Sequence, residues 1–64
     1  PLLNSGDIIE VTFDINGYPI AHKCYRKVKV SIDYIPKNID YKARYEARVI
    51  RQTSDKYHYL VKLI

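Results

Sequence analysis

Asp7-Ile8-Ile9-Glu10-Val11-Thr12-Phe13-Asp14-Ile15-Asn16-Gly17 is the stretch that decides the fold of this chain. In extended conformation Ile9, Val11, Phe13 and Ile15 fall on one side and Glu10, Thr12 and Asp14 on the other. That is a period of two and not of 3.6, so residues 7–15 read as a half-buried strand. Asn16-Gly17 follows at once and predicts a tight type I′ turn, because both residues tolerate positive φ. Tyr18-Pro19-Ile20 begins the return. Pro19 lacks an N–H and belongs at an edge or a bulge, so the returning arm is expected to be irregular as far as Cys24.

The same period continues downstream. Over residues 25–35, Val28, Val30, Ile32 and Tyr34 alternate against Lys27, Lys29, Ser31 and Asp33, which predicts a long strand. Residues 36–40 break it, and Ala43, Tyr45, Ala47 and Val49 then alternate against Lys42, Arg44, Glu46 and Arg48. Residues 52–56 are a polar turn, and Tyr57, Tyr59, Val61 and Leu63 form a closing strand. Its other face carries His58, Leu60, Lys62 and Ile64, apolar enough to predict a central strand or a covered end. No segment has a helical apolar stripe, and residues 36–42 allow at most one turn. The expected fold is all-β. A small antiparallel, partly open β-barrel of four to five strands, OB-like or SH3-like, is the form in which so short a sheet buries one face and loses its edges.

The 64 residues are expected to form a single domain, residues 1–64, near the size at which one core suffices. A hydrophobic content of 47% places the chain among globular proteins. Its one cysteine, Cys24, excludes an internal disulfide, so a reducing, cytoplasmic location is expected, with nucleoid or ribosome association compatible. No apolar run has the length of a membrane span, and no membrane partner is expected. Pro1 is the residue that removal of an initiator Met before a small side chain would leave.

Charge is segregated. Residues 1–22 carry Asp7, Glu10 and Asp14 and no cation, whereas residues 23–64 hold all eleven Lys and Arg against four carboxylates. The alternating cations share a face in extended chain, and a one-sided basic field draws polyanions. RNA or DNA is therefore the first partner expected. The residues expected to carry it are Lys23, Arg26, Lys27, Lys29, Lys42, Arg44, Arg48 and Arg51, rimmed by Tyr18, Tyr25 and Tyr57 as stacking platforms at strand ends. Tyr34, Tyr45 and Tyr59 are in phase with Val and Ala and are expected in the core. Asp33 and Glu46 interrupt the basic surface.

Gly6-Asp7 leading into Ile8-Ile9-Glu10-Val11, then Ile15-Asn16-Gly17 and Ile20-Ala21, resembles the opening of TRAM domains, and residues 45–51 with 57–63 resemble their closing hairpin. The resemblance implies an oligonucleotide-binding-type barrel and RNA binding. Gly17 alone stands where that family has a second Gly-rich pattern, and Pro36-Lys37-Asn38-Ile39-Asp40 replaces its Pro-Gly-acidic turn. The closing hairpin is also similar to Tudor and SH3-like modules, which implies the alternative: a protein-interaction module, self-assembling or binding a viral or host factor, with no nucleic-acid role.

His22 and Cys24 would point the same way in a strand, but a zinc site needs three or four ligands, so no metal and no cofactor is expected. Nothing supplies an oxyanion hole, a phosphate loop or a serine elbow; no enzyme and no small-molecule substrate is expected. Cys24 reads as a buried or half-buried thiol. Glu10 and Asp14, on the outward face of the first strand, read as partners for cations of a neighbouring strand.

Overall fold

The computed structural model describes residues 2–64; the expectation drawn from Pro1 lies outside them. Its five strands are β1 (Ile8–Phe13), β2 (Pro19–His22), β3 (Lys29–Ile32), β4 (Tyr45–Gln52) and β5 (His58–Leu63), in the sheet order β2-β1-β4-β5-β3. The sheet curls until Cα atoms of the two outermost strands, β2 and β3, approach within 8 Å without backbone pairing. The result is an all-β, nearly closed barrel with one unsealed seam. Among the described residues there is no helix, and so none long and apolar enough to cross a membrane.

Three pairings are antiparallel; the fourth, β3 with β5, is parallel, so the sheet is mixed and not antiparallel throughout. Its cause is the connection over residues 33–44. That segment carries the chain past the barrel end so that β4 pairs with β1, and β5 then folds back between β4 and β3. The position of β5 inside the sheet accounts for apolar residues on both of its faces.

Inward residues meet in register: Ile9 opposite Ala47, Ala47 opposite Leu63, Val49 opposite Val61, and Val30 opposite Tyr59. Val11, Ala47, Val49, Tyr59 and Val61 are essentially inaccessible to solvent. Burying each Val in this way stabilises the fold by about 1.5 kcal/mol or more relative to exposure. The Tyr59 hydroxyl accepts the Leu2 and Leu3 amides at 2.9 and 3.2 Å, which ties the N-terminal segment over the barrel and buries Leu3.

Strand ends differ from the periodic expectation for local reasons. The first turn is not type I′: Gly17 N donates to Asp14 O and Asp14 N to Tyr18 O, both at 2.9 Å, and only Gly17 (φ 84) is left-handed. Asp14 Oδ1 accepts the Asn16 and Tyr18 amides at 2.9 Å, holding a three-residue loop that lifts Ile15 out of phase to 99% exposure. The strand expected over residues 25–35 shrinks to Lys29–Ile32. Lys23 adopts φ 60 and Val28 N bonds Tyr25 O at 3.0 Å, so the chain turns before β3 begins. Tyr34, expected inside, lies beyond β3 and is 69% exposed. β4 starts late because Ala43 N bonds Asp40 O and Tyr45 Oη donates to Asp40 O at 3.0 Å, leaving Lys42 and Arg44 in the lead-in turn. A bulge between Val49 and Arg51 shifts the register of β4 against β5.

Candidate nucleic-acid interface

The unsealed seam forms a groove of about 650 Å³ between β2 and β3. Tyr18 and Ile20 wall one side, Arg26, Lys29, Ser31 and His58 the other, and Val28 and Val30 contribute apolar surface. Its described lining holds no carboxylate. Tyr18 is 67% exposed at the foot of the β1–β2 turn, so its ring faces are open to a stacked group. Ser31 Oγ and His58 Nε2 share a hydrogen bond of 2.7 Å across the parallel pair, and Lys29 is the register partner of His58. A flexible cation, a fixed imidazole and an exposed phenol thus surround an apolar slot. That arrangement can hold an anion beside a flat ring.

The expected basic surface is divided around the barrel. Tyr18, Arg26 and Lys29 come together at the seam. Lys23 and Arg44 do not join them, because both pair with Glu10 on the outer face of β1, Lys23 at 3.3 Å. Arg48 lies on β4, two strands from β3, opposite Lys62. Lys27, Lys42 and Arg51 are exposed away from the groove, Arg51 reaching the Gln52 carbonyl at 3.4 Å. Tyr25 is exposed in the β2–β3 connection beside Arg26. Tyr57 is half-buried, with Lys56 Nζ 5.1 Å from its ring centre, and its carbonyl accepts the Lys29 amide.

Of the tyrosines expected in the core, Tyr59 is fully buried and Tyr45 half-buried, edge-on to Phe13 at 6.2 Å between ring centres. Tyr41 also packs edge-on to Phe13, at 5.0 Å. His58 and Ser31 were not singled out by the sequence, since only the parallel pairing brings residue 31 to residue 58. The outward phase of His58 on the closing strand was its one visible signal.

His22 and Cys24 do not share a face. The left-handed residue between them sends His22 out to Thr12 Oγ1, at 2.6 Å, and Cys24 in against the core. Burial pushes the Cys24 thiol above its ordinary pKa. Among the described residues no three His, Cys, Asp or Glu side chains gather as a metal site.

The fold and groove define a small mixed β-barrel with an open, cationic seam. No family model, curated protein or solved structure matches the chain.

Proposed function

We propose that the protein binds single-stranded nucleic acid, RNA or DNA, along the seam between β2 and β3. The observation that carries this reading is the composition of the groove: Arg26, Lys29 and exposed Tyr18 around an apolar slot without a carboxylate. Cations at the rim neutralise phosphates and release condensed counterions, while an aromatic face takes a base in a sequence-tolerant way. Fold-level analogy adds support, since oligonucleotide-binding-type barrels use the face of strands 2 and 3 and the loops after strands 1 and 4. Here the first of those loops supplies Tyr18 to the groove, while Lys56 and Tyr57 of the second lie outside its lining. Stacking with limited sequence preference fits a chaperone or accessory subunit.

A mobility-shift assay with mixed-sequence oligonucleotides at low ionic strength tests the reading. Arg26→Glu combined with Lys29→Glu removes the shift without unfolding the barrel, because both side chains are exposed and unpaired in the contacts described. A shift retained by this double variant contradicts it.

A further inference from the structure

A second cationic surface lies on the outside of the barrel. Arg48 on β4 and Lys62 on β5 are direct cross-strand partners, and both are exposed. Like charges directly opposite destabilise a strand pair. Both ion pairs of the described residues belong to Glu10, so neither cation has a carboxylate partner there. The pair is walled by aliphatic side chains: Ile8 across from Arg48, Ile64 beyond Lys62, and Ile50 at the bulge, all exposed. Arg48, Lys62, Ile50 and Ile64 border, with Ser5 and Gly6, a shallow groove of about 480 Å³ that no aromatic ring lines; Ile8 stands outside it.

We infer that this face docks an extended acidic peptide segment of a partner protein, one carboxylate between Arg48 and Lys62 and aliphatic side chains against Ile50 and Ile64. Charge complementarity selects an anion. Isoleucine walls without an aromatic platform select an aliphatic peptide over a base-bearing strand, whose stacking partners lie at the seam. A second copy of the chain is a poor occupant. Asp7, Asp14, Asp40 and Asp55 each accept a backbone N–H of their own turn, and Glu10 holds its two cations. Glu46 sits in β4 between Tyr45 and buried Ala47, and Asp33 anchors its amide to Val61 O at 2.9 Å. Among the described residues, the exposed carboxylates of Asp33 and Glu46 thus stand on backbone that is already paired, and neither offers a free extended segment. The inference is independent of the seam.

The test is an amide-resolved NMR titration of the full chain with acetyl-Glu-Leu-Glu-Leu-amide, its Gln-for-Glu counterpart, and octathymidylate. The acidic peptide is expected to give saturable shifts at Arg48, Ile50, Lys62 and Ile64, at least ten-fold tighter than its neutral counterpart. Lys62→Glu abolishes them with the remaining spectrum unchanged, and Lys62→Arg retains them. Absence of saturable shifts at these residues overturns the inference, as does an equal response to the neutral peptide. Displacement of the acidic peptide by octathymidylate at Arg48 and Lys62 also overturns it, assigning the pair to nucleic acid.

Discussion

Glu10 on β1 stands directly opposite Glu46 on β4, and only Glu10 is ion-paired. Lys23, just beyond β2, and Arg44, just before β4, converge on it, so one carboxylate ties β1 to the segments flanking its two neighbours. Glu46 is in no ion pair and faces the like charge of Glu10 across the strands. Replacing Glu46 by Gln is therefore expected to stabilise the protein by a few tenths of a kcal/mol, up to about 1. Replacing Glu10 by Gln relieves the same repulsion but also removes both ion pairs, which are screened because the cations are largely exposed. That change is expected to leave the protein less stable than Glu46→Gln by up to about 1 kcal/mol. Urea denaturation of the two variants, which have the same charge change, reads the difference, with Glu46→Gln the more stable.

Among the described residues, the Tyr59 hydroxyl is the one side-chain acceptor for the Leu2 and Leu3 amides. Tyr59→Phe keeps the packing of the ring and leaves these donors without it, which costs about 1–3 kcal/mol for a buried group. Hydrogen exchange at Leu2 and Leu3 should accelerate more than exchange in β4, which separates loss of this tie from global destabilisation.

Gly17 at φ 84 closes the first hairpin, and an added Cβ there meets Tyr41 at 3.6 Å, ordinary van der Waals contact. The cost of Gly17→Ala is then conformational, about 1–2 kcal/mol. Thermal unfolding should show the loss, and Asn16→Ala should cost clearly less, since Asn16 is not left-handed.

Burial raises the Cys24 pKa above 9.0, its ordinary value, so the folded state favours the neutral thiol. A folded pKa above the unfolded one stabilises fully below the unfolded pKa and loses that stabilisation as pH rises toward the folded pKa. Stability of the wild type should therefore fall from about pH 9.0 upward more steeply than that of Cys24→Ala. Chemical denaturation across pH 8–11 checks the difference between the two curves.

The sequence made the strands legible where one face is buried throughout. Val11, Ala47, Val49, Tyr59 and Val61 all fall inside, as their period of two predicts. It misplaced Ile15 and Tyr34, because alternation continues through both while Asp14 and Lys23 set turns by hydrogen bonding and backbone conformation. The parallel pairing of β3 with β5 was illegible, since period two says nothing of which strand lies beside which. The same gap governed the site. Tyr18, Arg26 and Lys29 were recognisable as an aromatic and cations, but strand order alone separates them from Arg44 and Arg48, brings His58 beside Lys29, and sets Lys62 against Arg48.

The central claim is that the seam, and not the whole basic surface, binds single-stranded nucleic acid. Its most direct measurement is the affinity of a fluorescent mixed-sequence oligonucleotide as a function of salt, for wild type, Arg44→Ala and Arg26→Glu/Lys29→Glu. Two phosphate contacts predict a slope of log K against log salt of about −1.4 for wild type. Arg44→Ala should match it, the double variant should lose binding, and Tyr18→Ala should weaken binding roughly 5- to 150-fold at fixed salt. Salt-insensitive binding, or a double variant that binds like wild type, would contradict the account.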